Sequence, residues 1–367
     1  MSDDRKKVLL ADVSFVSYRK HYYEELSVYY DFVAACTEPD LGSGFSIVEM
    51  NDVRTVPLKE QSLFRGKLLF QKGLFNVIRE FKPQVIISGL GNRYLNQWLL
   101  LFYCKIWGID LYIHGHGPYN KNKDLFLYRI IYRTILLLCS GFICYTRFSL
   151  DSFHRLGIYS GKLSFAENTL ENEYPVTPGE KTYNESGILF IGRIREGSGL
   201  ELLIESVMLI NAAGYKTILH VIGDGDRKNS IYEKYVSEPS IMWHGKIYNQ
   251  EKIAEISKNC FIGCYPGSVG LSVVHFFSLS LPAIIHDNIY THGPEASYVM
   301  DKYNGLLFKN ENNESLTGVI KYALENRVEI KKMGFNAYKD YLNRQSPSLA
   351  AVFYKIIEGN AVKQNTK

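Results

Sequence analysis

Three glycine-bearing stretches in the second half of this 367-residue chain have the composition of anion sites. Gly192-Arg193-Ile194-Arg195-Glu196-Gly197-Ser198-Gly199 joins an apolar run to a helical one. Glycines let backbone amides approach a phosphate, and a guanidinium can hold it through paired hydrogen bonds. An ordinary strand-to-helix turn with surface arginines has the same composition, so both readings stay open. Gly223-Asp224-Gly225-Asp226 is a second tight turn. Two carboxylates this close can share a divalent cation, but the flanking glycines suit a solvated turn better, and no metal is expected. Pro266-Gly267-Ser268-Val269-Gly270 opens an apolar helix at Leu271. Free amides and the positive helix end there would favour a diphosphate. His275 on the same helix is either a ligand contact or a histidine satisfied in the core.

These loops need strands behind them. Short β-rich runs alternate with helical stretches at 7–13 and 17–30, 84–88 and 93–107, and 111–114 and 125–138. A second series runs from 187 to 285. The alternation predicts βαβ units and two doubly wound parallel sheets, an α/β fold of two Rossmann-like domains facing a cleft. Pro175, Pro178 and Gly179 lie among polar residues between the two series, which is linker chemistry. The expected domains are 1–172 and 185–345, with a linker over 173–184 and a C-terminal segment, 346–367, whose helix packs back on the first domain.

In such sheets ligands bind beyond the carboxyl ends of the strands. That rule selects Ser14 and Arg19 after the first strand, and His114 and His116 in the turn Leu111-Tyr112-Ile113-His114-Gly115-His116-Gly117-Pro118. At Asn168 the residues alone offer a plain Asx turn. Arg19 can meet an anion or be a cationic helix start in water.

The chain carries a formal charge of +4, with Lys and Arg scattered among acidic residues, so a nucleic-acid partner is not expected. Residues 1–172 hold 21 Lys and Arg against 17 Asp and Glu, and the remainder is balanced at 21 against 21, so the basic excess lies in the first half. The six cysteines lie in apolar runs without zinc-site spacing and read as small hydrophobes in a reducing compartment. The polar start shows no secretory pattern. The expected location is therefore cytoplasmic, either free or peripheral on the inner face of the cytoplasmic membrane. Residues 125–138 carry Arg129 and Arg133 among Leu, Ile, Phe and Tyr. Such a helix either lies in a membrane interface or is mostly buried in an α/β domain, the second being more common. The tyrosine-rich stretch 18–30 is a second candidate membrane contact.

The order and spacing of several motifs resemble the nucleotide-binding half of retaining GT-B glycosyltransferases, specifically glycosyltransferase family 4. They are I-L-F-I-G-R at 188–193, V-I-G-D-G at 221–225, W-H-G at 243–245, G-x-x-G-L-S-V-V at 267–274, G-P-E at 293–295 and N-G-L-L-F at 304–308. The Y-R-x-x-Y-Y-E-E-L stretch at 18–26 looks like the acceptor side of polysaccharide-assembly members. The resemblance implies sugar transfer from a nucleoside diphosphate sugar to a saccharide hydroxyl, on a lipid-linked intermediate of capsule, O-antigen or exopolysaccharide synthesis. It implies no cofactor beyond that co-substrate. By the same resemblance, His114 and Arg193 are the catalytic residues. Donor and diphosphate contacts fall on Gly192, Arg193, Ser198, Gly223, Gly225, Gly267, Ser268, Val269, Gly270, Leu271 and His275, and acceptor contacts on Ser14, Arg19, His116 and Asn168. The sequence departs from the family at three of these positions. Two glutamates of the family are Gly267 and His275 here, and the lysine expected five residues after Arg193 is Ser198. Altered donor contacts and lost catalysis, leaving a sugar-nucleotide or glycan-binding protein, both follow from those departures.

Overall fold

The computed structural model describes residues 5–37, 53–91, 93–119, 125–181, 183 and 185–359. It divides into two units, Met1–Asn168 with Pro347–Lys367, and Thr169–Ser346.

The first unit contains β1 (Lys7–Ser14), α1 (Lys20–Tyr29), β2 (Asp31–Thr37), β3 (Arg54–Leu63), β4 (Leu68–Lys72), α2 (Leu74–Phe81), β5 (Val85–Ser88), α3 (Leu95–Trp107), β6 (Asp110–Gly115), α4 (Leu125–Leu138), β7 (Gly141–Cys144), α5 (Arg147–Arg155) and β8 (Leu163–Phe165). Its eight strands are ordered β4-β3-β2-β1-β5-β6-β7-β8. All pairs are parallel except the β3–β4 hairpin. Side chains of β1 alternate between two buried clusters, Val8 and Leu10 in one and Leu9 and Ala11 in the other, so both sheet faces are covered.

The second unit contains β9 (Gly187–Ile191), α6 (Leu200–Ala212), β10 (Ile218–Ile222), α7 (Lys228–Tyr235), β11 (Ile241–Gly245), α8 (Gln250–Lys258), β12 (Cys260–Cys264), α9 (Ser272–Ser278), β13 (Ala283–His286), β14 (Gly305–Phe308), α10 (Asn313–Glu325) and α11 (Arg327–Gln345). Strands β9 and β12 are buried along their whole length, as central strands covered on both faces must be. Helices α8 and α10 start on side-chain caps: Asn249 accepts from the Lys252 amide at 2.8 Å and Asn312 from the Ser315 amide at 2.7 Å.

The stretch expected to be a linker is bonded along the second unit. Val176 donates to the Ser278 carbonyl at 3.0 Å, and Tyr183 Oη donates to the Ser280 carbonyl at 2.7 Å. The Lys181 ammonium, buried, donates to the Cys260 carbonyl at 3.0 Å and to the Ser257 carbonyl at the end of α8, where a cation opposes the helix dipole. Burial lowers its pKa to about 8.

A last helix, α12 (Leu349–Ile357), belongs to the first unit. Its Phe353 is fully buried and meets Tyr22 edge-on at 5.3 Å, while Lys6 pairs with Glu358 at 2.8 Å. Tyr22, Tyr23, Leu26 and Tyr30 are therefore core residues under α12. The tyrosine-rich stretch is accordingly not the membrane contact offered by its composition. The opposite correction applies to α4. Of residues 126–138 only Ile135 and Leu136 are buried, so the helix is not mostly covered.

Candidate functional site

In the second unit the strand order is β11-β10-β9-β12-β13-β14. The chain builds outward from β9 in one direction and then, from β12, in the other. The loops leaving the carboxyl ends of β9 and β12 thus part at the topological switch point, where parallel sheets hold ligands.

Those two loops are bonded to each other. Gly267 N–H donates to the Ser198 carbonyl at 3.1 Å, and Ser268 N–H to the Gly197 carbonyl at 3.0 Å. A guanidinium nitrogen of Arg195 donates to the Ser268 carbonyl at 3.2 Å, and Tyr265 Oη donates to the Arg193 carbonyl at 3.0 Å. Tyr265 is itself stacked on Phe190, with ring centres 4.8 Å apart. A Cβ at Gly267 would stand 1.9 Å from the Gly197 carbonyl oxygen and 2.5 Å from the Ser198 carbonyl carbon. No side chain fits there. Ser198 and Gly267, two of the departures from the family pattern, thus abut, and at Gly267 the backbone of Gly197 and Ser198 fills the space a side chain would need.

The bridge uses up amides expected to face a phosphate. Those of Gly267 and Ser268 are spent as above. Val269 N–H donates to Nδ1 of His292 at 3.2 Å, and Gly293 N–H donates to the Val269 carbonyl at 2.6 Å. The Ser268 hydroxyl donates to the Thr291 carbonyl. Gly267, Ser268 and Val269 therefore scaffold the loop and do not present donors. The amides of Gly270, Leu271 and Ser272 make no hydrogen bond among the described residues, and they point the site to the start of α9.

Gly223 and Gly225 are also scaffolding. A Cβ at Gly223 would lie 2.0 Å from the Gly192 carbonyl oxygen, and one at Gly225 2.3 Å from that of Ile194. This close backbone contact buttresses the 192–194 loop, which also receives Ile194 N–H to the Asp224 carbonyl at 2.9 Å and Gly192 N–H to that of Ile222 at 3.1 Å. Arg193 and Arg195 are exposed above the loop, and Ser198 is buried. His275 is half-buried on α9, and its ring makes no hydrogen bond among the described residues. Asp224 Oδ1 accepts from the Gly225 amide at 2.9 Å, which is turn chemistry.

Several contributors were not singled out by sequence. His292 is buried, stacks on His286 with ring centres 3.7 Å apart, and donates through Nε2 to the His286 carbonyl at 2.9 Å. Its Nδ1 is the acceptor for Val269, so the neutral tautomer is fixed at both nitrogens, and burial holds its pKa below the ordinary histidine value. The buried Glu295 carboxylate lies against the same loop, with Oε2 3.4 Å from the Cβ position of Gly270. The motif G-P-E was the available signal for Glu295; none marked His292.

In the first unit, elements at the carboxyl edge of the sheet bring Arg19, His114, His116, Tyr145 and Asn168 together. Arg19 donates to Asn168 Oδ1 at 3.1 Å, and its guanidinium lies 5.7 Å from the Tyr145 ring centre. Tyr145, not foreseen, is the hub: its ring meets His114 at 4.3 Å and His116 at 4.5 Å. His116 is exposed. His114, expected to contact a ligand, is instead 4% exposed, closed in by Tyr145 and by Phe353 at 4.9 Å. Burial drives its pKa well down, and Nε2 has no hydrogen-bond partner among the described residues. The side chain of Ser14 lies outside the described residues.

Residues 179–340 match the family described as glycosyl transferases group 1. The second unit is thus similar to the group 1 glycosyltransferase domains. Around it, the whole chain has the GT-B fold, as its likeness to solved structures establishes. Anabaena HepE in complex with UDP superposes with a TM-score of 0.68 at 14% identity, covering 97% of this chain and 99% of that one. Sucrose-phosphate synthase from Thermosynechococcus elongatus gives 0.70 at 14%, over 97% and 99%. The lipopolysaccharide outer core galactosyltransferase WaaB gives 0.65 at 13%, over 96% and 99%. A comparison with curated protein sequences gives no significant match. In this glycosyltransferase the switch-point loops and the start of α9 fall inside the matched family region. No group of three metal-ligating side chains occurs among the described residues.

Proposed function

We propose that the protein transfers a sugar, with retention at the anomeric carbon, from a nucleoside diphosphate sugar to a saccharide hydroxyl, on a lipid-linked intermediate of surface polysaccharide synthesis. The observation that carries this reading is the cluster of amides at Gly270, Leu271 and Ser272 at the switch point that find no partner among the described residues, with Arg193 and Arg195 exposed on the loop bonded to it. Amides held rigid by a loop-to-loop bridge need no reorganisation when charge develops on a departing diphosphate, and such preorganised donors are a large source of rate. Solved relatives of the fold include HepE bound to UDP-glucose and the galactosyltransferase WaaB, in keeping with a sugar-nucleotide donor.

Arg193 neutralises the leaving diphosphate, Arg195 orients the loop through Ser268, and His275 contacts the nucleotide ribose through a ring nitrogen. With no carboxylate possible at Gly267, a double displacement through that position has no nucleophile. The acceptor hydroxyl attacks the face from which the diphosphate leaves and gives its proton to a phosphate oxygen. His116 and Arg19 serve the acceptor, and His114 positions Tyr145 from beneath. No metal takes part.

The second reading, a binding protein with a decayed site, draws on the same absence at Gly267. One experiment separates them. Purified protein is tested against UDP-, GDP- and dTDP-sugars by thermal shift and by nucleotide release with a lipid-linked saccharide acceptor. Stabilisation with release supports transfer, stabilisation alone supports the binding protein, and neither discards the site.

A further inference from the structure

Helices α3 and α4 pack side by side on one face of the first sheet, connecting β5 to β6 and β6 to β7. Each leaves an apolar stripe in solvent. On α3, Leu99, Phe102 and Ile106 recur at helical spacing and are 40%, 55% and 77% exposed, with Trp107 at 69% beside them. On α4, Phe126, Ile130 and Leu137 are 70%, 47% and 70% exposed. Soluble proteins seldom leave so many large apolar side chains on adjacent elements without a partner.

The charge on these helices selects the partner. Neither Leu95–Trp107 nor Leu125–Leu138 contains an aspartate or glutamate, and their charged residues are Lys105, Arg129 and Arg133, all exposed. Arg133 reaches the Gly157 carbonyl at 3.4 Å, and Arg129 lies over Gly157 too, so the two guanidinium groups flank the apolar stripe along one side. An apolar strip whose two helices carry only cations matches an anionic bilayer surface, where side chains enter the acyl boundary while Arg and Lys remain among the headgroups. No helix among the described residues is long and apolar enough to cross a membrane, so this contact is interfacial.

We infer that the α3–α4 face docks the protein on an anionic lipid surface. The inference deepens the proposed lipid-linked acceptor by stating how the enzyme reaches it. Vesicle binding is nevertheless read without donor or acceptor, so either can fail alone.

The test is cosedimentation of the full chain with phosphatidylglycerol-containing vesicles and with phosphatidylcholine vesicles, together with Phe102→Ser/Ile106→Ser and Arg129→Gln/Arg133→Gln variants. The wild type is expected to bind the anionic vesicles and to be released by salt. Each charge removed should weaken binding by about fivefold, and the serine pair by at least about tenfold. The substituted side chains are exposed, and a circular dichroism melt checks that folding is unchanged. Absence of binding to anionic vesicles, or equal binding by wild type and variants, overturns the inference. Self-association by ultracentrifugation that the serine pair abolishes, with no vesicle binding, would assign the face to a second copy of the chain instead.

Discussion

The Gly267 amide donates to the Ser198 carbonyl at 3.1 Å, joining the loops after β9 and β12 at the two positions where the family places a glutamate and a lysine. The absence of a side chain at Gly267 and the backbone bridge that fills its place belong to one local arrangement.

Restoring a side chain at Gly267 should harm the protein. Gly267→Ala forces a Cβ into the Gly197 carbonyl, where overpacking costs about 1–3 kcal/mol. Urea unfolding should show a lower midpoint with unchanged m-value. Gly267→Glu should be worse still and should not raise activity, and a rise in turnover would contradict the bridge.

Arg193→Ala should lower kcat about 100-fold or more with the fold intact, because a group stabilising the leaving diphosphate acts mainly in the transition state. Arg195→Ala removes the bond to the Ser268 carbonyl and should raise KM for the donor, with a smaller effect on kcat. His275→Ala should mainly weaken nucleotide binding. Steady-state kinetics with the donor found by thermal shift distinguishes the three patterns.

His292→Ala leaves the Val269 amide buried without an acceptor, a loss of about 1–3 kcal/mol. Donor binding should fall with it, since the same loop carries Gly270 and Leu271. His292→Asn offers a side-chain oxygen in place of Nδ1 and should recover part of both losses.

Stability should decline in mild acid. Burial lowers the pKa values of His114, His220, His286 and His292, to about 4 for His220 and His286. Below the unfolded value of about 6.5 the unfolded chain takes up protons that the native one refuses, so stability is full above about pH 6.5 and is lost as pH falls toward 4. Each such histidine contributes up to about 1.4 kcal/mol per pH unit in that window. The melting temperature should fall steadily from pH 6.5 to 5; a flat profile would mean that these rings are not held neutral.

Chelation should leave activity unchanged, because Asp224 is engaged by its own turn and charge stabilisation is assigned to Arg193 and loop amides. Activity lost in EDTA and recovered with Mn²⁺ would restore the metal reading of Asp224 and Asp226.

Legibility differed sharply between the two halves. In the second unit the strand and helix spans follow directly from short buried runs punctuated by glycine turns. In the first unit β2, β3 and β4 were not anticipated. Pro57 interrupts β3, and its exposed polar residues mask the strand pattern, although Pro57 stands opposite Cys36 in the parallel pairing.

What the sequence determined by itself is therefore local: the βα alternation, the turns, and the family motifs that name the switch-point loops. Periodicity and turn chemistry act over a few residues, so they can be read from a few residues. The tertiary structure alone decided which amides remain unpartnered, that Ser198 and Gly267 abut, that His114 is sealed by Phe353, and that the α3 and α4 stripes face solvent. Each of these depends on contacts between segments far apart in the chain, or on the lack of a covering element, and exposure has no signature in local spacing.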